Sequence, residues 1–258
     1  MKERIITGIC LLAAVLPLVY FGGYWFMGLM LIVTVVATWE MMAMHDTLIE
    51  VPLLIKIIAI VVTLGVAFSP TISMAWYILG IHLIFLWFIY FAFKAINMET
   101  RTFYIRAPIY IGLSFRALLG IRNHSLTLFI FLIAIVILTD SMAYFTGRFF
   151  GKHKLAPKIS PKKTIEGAIG GWLSGAAFAI GFGLLTELFA QMWILFILAF
   201  FLPILSQIGD LVASALKRKY DIKDFGKLFP GHGGVMDRVD SQMLAAILIY
   251  VIILFGRV

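Results

Sequence analysis

Apolar residues run in long blocks along this chain, separated by short polar patches. Nine blocks can be marked, at roughly 5–21, 24–40, 53–69, 74–93, 107–120, 126–146, 164–187, 191–216 and 239–256. A membrane-crossing helix needs about 20 residues, or about 17 at the short limit. The pattern therefore predicts an all-α, polytopic membrane protein with about nine transmembrane helices. The 107–120 block is short and carries Arg116; a re-entrant segment, or one packed within protein, is the alternative there. Only Gly22 and Gly23 separate the first two blocks, which suits a tight helical hairpin. The N-terminus resembles a secretory signal, but Pro17 to Gly23 has no small-x-small cleavage pattern, so a retained first span is expected.

Composition agrees with the pattern. The chain has 258 residues, 62% hydrophobic and only 13% charged, against about 25% charged in a soluble domain. The net charge of +8 points to topology and an anionic lipid surface rather than to nucleic acid. With the N-terminus cytoplasmic and nine spans, all of the 21 Lys and Arg residues fall on the inside except Arg116, Arg122 and Arg257. The positive-inside rule thus favours N-terminus in and C-terminus out. Dropping the 107–120 span would put large basic groups on the wrong side, which supports the odd count. Cys10 is the only cysteine, so no disulfide within the chain and no thiolate metal site can form. No internal repeat or long linker is visible. The expected organisation is an N-terminal transmembrane region, 1–125, and a C-terminal transmembrane catalytic region, 126–258. The loops 147–163 and 217–238 should carry the chemistry at the cytoplasmic face.

The stretch from Ser214 to Asp240 is polar and glycine-rich, yet lies between two strongly apolar segments. A charged block held against a membrane must offset its desolvation, and chemistry on a charged substrate is the usual reason. On a helix, Asp210, Ser214 and Lys217 share one face, as do Asp237 and Asp240. Three carboxylates at the inner ends of two successive spans can converge on one point and would suit Mg²⁺, which binds one or two carboxylates plus substrate phosphates. Dipole stabilisation of a helix N-terminus is the alternative for Asp237 and Asp240; Asp210 sits at the wrong helix end for it. Asp140 lies within an apolar run and is a candidate by the same reasoning, with a structural ion pair as its alternative. Ser160 reads as an N-cap with Pro161 at the first helical position. Lys162 and Lys163 beside free backbone N–H groups would make a phosphate site, or else a membrane-edge anchor with snorkelling lysines. Glycines of Pro230-Gly231-His232-Gly233-Gly234 would let the main chain approach a ligand. Gly147 to His153 only superficially suggests a phosphate-binding P-loop: the spacing is one short and no Ser or Thr follows Lys152.

The block Ser214-x-x-Lys217-Arg218, then Lys223-Asp224-Phe225-Gly226 through Pro230, His232-Gly233-Gly234, Asp237-Arg238 and Asp240, closely resembles the signature of the phosphatidate cytidylyltransferases, or CDP-diacylglycerol synthases. Asp140-Ser141 to Gly147-Arg148 and Ser160 to Gly167 also look like family segments, with Ser141 standing where threonine is more usual. The resemblance covers about 140–240. It implies transfer of a cytidylyl group from CTP to phosphatidate, releasing pyrophosphate, within phospholipid biosynthesis. It implies Mg²⁺ at Asp210, Asp237 and Asp240, with a second cation left open. Lys217, Lys227 and Arg238 would meet CTP phosphates. Asp140 would support the site or touch the nucleotide. Lys162 and Lys163 would meet either the lipid phosphate or the triphosphate. Thr164, Ser214, His232, Gly233 and Gly234 complete the expected substrate-binding set. The catalytic set is Asp210, Asp237, Asp240, Lys217 and Arg238. A bacterial inner membrane location is expected, and a homodimer is compatible with such an enzyme.

Two rival readings remain at this level. A CDP-alcohol phosphotransferase expects Asp-Gly-x-x-Ala-Arg, which this chain lacks. A transporter predicts mid-bilayer acids and repeat symmetry; here the acids cluster towards one face.

Overall fold

A computed structural model describes residues 2–92, 98–231 and 233–256, without the side chains of 2–6 and 88–92. Among these residues the fold is nearly all-α: nine helices and one two-stranded sheet. The helices α2 (Gly23–Asp46), α6 (Leu126–Phe150), α7 (Ile165–Leu185) and α8 (Met192–Lys219) are each long and apolar enough to cross a membrane. The protein is an integral membrane protein.

The chain divides into two compact units. The first comprises 1–119 together with 224–238. It holds α1 (Lys2–Phe21), α2, α3 (Leu53–Ala67), α4 (Ile72–Ala92) and most of α5 (Met98–His124). The expected turn at Gly22 and Gly23 is made with φ of 65° and 50°, values that suit glycine because no Cβ is present. Exposed Tyr20, Phe21, Tyr24 and Trp25 flank it, as aromatic rings do at a bilayer interface. The interior packs Met42, Val51, Ile55, Ala59, Leu86 and Tyr104 together. The helix predicted over 107–120 extends over 98–124, because its polar flanks, including Arg101 and Arg122, continue the same backbone ladder. Buried Arg116 donates to the Ser69 carbonyl and hydroxyl, which satisfies a charge that an apolar run would otherwise strand.

The second unit comprises 120–223 and 239–258. It contains α6, the antiparallel strands β1 (Lys154–Ala156) and β2 (Ser160–Thr164), α7, α8 and most of α9 (Met236–Leu254). Ser125 caps α6 by accepting from the Leu128 N–H at 3.3 Å. The core is built from Leu128, Phe131, Leu132 and Ile135 of α6 with Ile194, Leu195, Leu198 and Leu202 of α8. Gly167, Gly171, Gly175, Ala179 and Gly183 recur every fourth residue on α7 and are buried. That spacing keeps small residues on one helix face. A methyl group at Gly171 would stand 2.6 Å from the Thr139 carbonyl of α6, and one at Gly175 2.9 Å from Pro203 of α8. The stripe therefore brings three helix backbones close together, with their polar ends alongside the β1–β2 hairpin.

Two features depart from the sequence expectations. The 154–164 segment is a β-hairpin rather than helix or loop, so the fold is not purely α. Thr164, not Ser160, is the N-cap of α7: its hydroxyl accepts from the Gly167 N–H at 3.1 Å, while Ser160 and Pro161 belong to β2. The cap signal was present at both positions; pairing with β1 decided between them.

Candidate active site

In the second unit a cavity of about 350 Å³ is lined by side chains that include Asp140, Tyr144, Lys162, Lys163, Thr164 and Asp210. Asp140 comes from α6, the lysines from β2 and Asp210 from α8. Lys163 Nζ lies 2.6 Å from Asp210 Oδ2, and the Ser214 hydroxyl, one turn along α8, donates to Asp210 Oδ1 at 3.3 Å. Asp140 accepts a hydrogen bond from the Ser241 side chain, and its carboxylate repels that of Asp210 while Lys163 attracts it. One ammonium group thus offsets two carboxylates, an arrangement that a cation or a phosphate can reorganise.

The lysine strand is held at both ends. Glu166, in the first turn of α7, accepts from the backbone N–H groups of Lys152 at 3.1 Å and His153 at 3.2 Å, and pairs with His153 Nδ1 at 2.6 Å. At the hairpin tip, Arg218 donates to the Ile159 carbonyl at 3.3 Å and to the Ile222 carbonyl at 3.2 Å. These two side chains orient the segment that carries Lys162 and Lys163.

Next to the cavity, α8 and α9 approach closely. A Cβ at Gly209 would sit 2.6 Å from the Asp240 carbonyl, so the residue before Asp210 must be small for Asp240 to lie beside it. Asp240 is buried; its Oδ1 accepts from the Ser241 N–H at 2.8 Å, and Lys217 Nζ lies 3.9 Å from its Oδ2. The Ser241 hydroxyl, 3.4 Å from Asp240 Oδ1, thus touches both Asp240 and Asp140. Ser241 carried no role in the sequence reading; its place immediately after Asp240 was the available signal.

The first unit holds the glycine-rich segment. Phe229 N–H donates to the Gly233 carbonyl at 2.9 Å, closing a tight loop, and Gly233 adopts φ of +81°. Asp237 Oδ2 accepts from the N–H groups of Phe225 at 2.8 Å and Gly234 at 3.0 Å. Lys227 and Arg238 are exposed, and His232 lies outside the described residues. Glu40 of α2, which the sequence reading passed over, is 6% exposed and accepts from the N–H groups of Val235 at 3.0 Å and Met236 at 2.9 Å. An acid enclosed by an apolar run had singled out Asp140, and the same signal marks Glu40.

The expected residues thus fall into two sets. Asp140, Lys162, Lys163, Thr164 and Asp210 line one cavity, with Ser214 on Asp210 and the Lys217–Asp240 pair adjacent. Lys227, Gly233, Gly234, Asp237 and Arg238 belong to the other unit. Among the described residues no group of three or more His, Cys, Asp or Glu side chains is assembled for a metal ion. Donor chemistry nonetheless fits a hard cation: of the expected ligands, Asp210 and Asp240 offer carboxylate oxygens beside Asp140, and Mg²⁺ takes one or two carboxylates and completes its shell with water and phosphate.

A family model described as "Cytidylyltransferase family" matches residues 2–255. A protein named phosphatidate cytidylyltransferase from Bacillus subtilis strain 168 is 35% identical over 259 residues, covering 97% of this chain and 96% of its own. Proteins of the same name from Staphylococcus epidermidis and Staphylococcus haemolyticus are each 31% identical over 262 residues, covering 98% of this chain and 99% of theirs. With the match running through every helix that builds the cavity and the glycine-rich loop, the chain belongs to the cytidylyltransferase family.

Proposed function

We propose that the protein is a nucleotidyltransferase that moves the cytidylyl group of CTP onto phosphatidate, forming CDP-diacylglycerol and pyrophosphate. The observation that carries this reading is the cavity where Lys163 meets Asp210 beside Asp140, in a membrane chain that matches a cytidylyltransferase family almost end to end.

A phosphate oxygen of phosphatidate attacks the α-phosphorus of CTP. A new P–O–P bond forms, the bond from the α-phosphorus to the bridging oxygen of the β-phosphate breaks, and pyrophosphate leaves with that electron pair. The nucleophile is already an anion, so no strong general base is needed. Two polyanions must instead be held together, which positioning and fixed charge accomplish. Lys162 and Lys163 meet phosphate at the cavity, with Thr164 and Ser214 as neutral partners. Lys217, Lys227 and Arg238 receive the CTP phosphates, with Gly233, Gly234 and His232 contributing from the glycine loop. Asp210, Asp237 and Asp240 are the proposed carboxylate ligands of a divalent cation, Mg²⁺, and Asp140 supports them. The cation, when bound, neutralises developing charge on the phosphoryl oxygens and orients the leaving group.

The finer topology follows the same reading: about nine spans, the N-terminus and the catalytic face cytoplasmic, the C-terminal region 126–258 carrying most of the chemistry, and residence in a bacterial plasma membrane. Assembly as a homodimer is included and would show in the mass of the detergent-solubilised protein.

The test is direct. Purified protein in detergent, given phosphatidate, labelled CTP and Mg²⁺, should yield a lipid-soluble nucleotide and pyrophosphate. Release of CMP from a CDP-lipid, without CTP consumption, would replace this reading with a CDP-alcohol phosphotransferase.

A further inference from the structure

We propose that Glu40 is the positioning residue of the glycine-rich loop: its buried carboxylate, presented by α2, templates the backbone at Gly226 and from Gly234 to Met236, which leads into Asp237 and Arg238. The proposal rests on the nucleotidyltransferase reading for its kinetic consequence but not for its structural one.

Each Glu40 oxygen has its own donor, Oε1 the Val235 N–H at 3.0 Å and Oε2 the Met236 N–H at 2.9 Å. These amides open α9, where the helix dipole also favours negative charge. A carboxylate so enclosed would be costly to bury without such partners. The loop is moulded around it from two sides. A Cβ on Gly226 would stand 2.2 Å from Glu40 Oε1, and one on Gly234 2.3 Å from the same atom. Both glycines thus have a partner inside the protein, where for Gly234 the sequence alone suggested a ligand. On the outgoing leg Asp237 Oδ2 takes the N–H groups of Phe225 and Gly234. Two carboxylates therefore fix four backbone amides, those of Phe225, Gly234, Val235 and Met236. Because Glu40 occupies the Val235 and Met236 amides, the start of α9 does not offer them to an anion, and the positive charge of the loop is carried by Lys227 and Arg238. Their placement then depends on Glu40.

Hydrogen exchange of the full-length protein in detergent, with Glu40→Ala, Glu40→Gln, Gly234→Ala and the Glu40→Ala/Gly234→Ala double variant, tests this. In Glu40→Ala, peptides covering 225–236 should exchange about tenfold faster or more, while peptides of α6 and α7 keep their rates. In the cytidylyl-transfer assay, kcat/KM for CTP should fall about 10- to 100-fold, the range for groups that orient others. The loss should lie mainly in the KM for CTP, with the KM for phosphatidate little changed. Glu40→Gln keeps one acceptor oxygen and should fall between wild type and Glu40→Ala. Gly234→Ala should resemble Glu40→Ala, because its methyl group displaces the carboxylate. In loop exchange, adding Gly234→Ala to Glu40→Ala should add almost nothing, since the collision partner is gone. Unchanged loop exchange in Glu40→Ala, or fully additive increases in loop exchange in the double variant, would overturn the proposal. If Glu40→Ala does not fold, Gly226→Ala takes its place, and unchanged exchange at 225–236 there would be equally fatal. The exchange measurements need no turnover. Absence of cytidylyl transfer in the wild type would therefore defeat the functional reading and leave this test standing.

Discussion

The cavity of the second unit and the glycine-rich loop of the first both concentrate charged residues, but they use them differently. At and beside the cavity, side chains chiefly face side chains: Lys163 with Asp210, Lys217 with Asp240, and the Ser214 and Ser241 hydroxyls on carboxylates, with the Ser241 N–H adding a backbone contact to Asp240. In the loop, carboxylates face backbone: Glu40 and Asp237 each hold two N–H groups. Side-chain pairs can exchange partners when a phosphate or a cation arrives. Backbone amides capped by a buried carboxylate fix the course of the chain. The first arrangement suits binding and reaction, the second suits shaping, and acid residues with the same formal charge therefore do different work.

Substitutions at the cavity carboxylates should cause the largest losses. Asp210→Asn should lower kcat by about 10²–10³-fold, the range for a preorganised electrostatic group, with the melting temperature in detergent little changed. A chelator should abolish turnover and added Mg²⁺ should restore it. Normal Mg²⁺-dependent turnover in a folded Asp237→Asn protein would remove that residue from the metal set and leave Asp237 with the loop-shaping role alone. Next in size, Gly171→Leu forces a large side chain against the Thr139 carbonyl. It should destabilise the second unit by about 1–3 kcal/mol or more, read as a lowered melting temperature, with activity lost only as far as folding is lost. The smallest stability effect belongs to Lys163→Met. The pair it breaks is partly exposed, with side chains 26% and 30% accessible, so the change should be under about 1 kcal/mol. Substrate KM should rise all the same. A large stability loss in Lys163→Met would make that pair structural and erase the contrast between the two regions.

Some of this architecture can be read from the chain directly. Long apolar blocks declare helices in lipid, because a backbone there must satisfy its own hydrogen bonds. Asp140 and Asp210 stand out because acids are rare in such blocks. The gapped run from Ser214 to Asp240 marks the family, since its spacing recurs as a unit. Other features could not be read in this way. Ser160 and Thr164 both carry cap chemistry, and only pairing of β2 with β1 selects Thr164. Gly226 and Gly234 announce a close approach without saying to what. The answer is a carboxylate roughly two hundred positions away in sequence, on α2. Periodicity and propensity act over a few residues, so the sequence by itself determines the helices, the membrane setting and the chemical kind of the site. Which amide meets which carboxylate depends on contacts between distant segments, and close packing in three dimensions alone decides them.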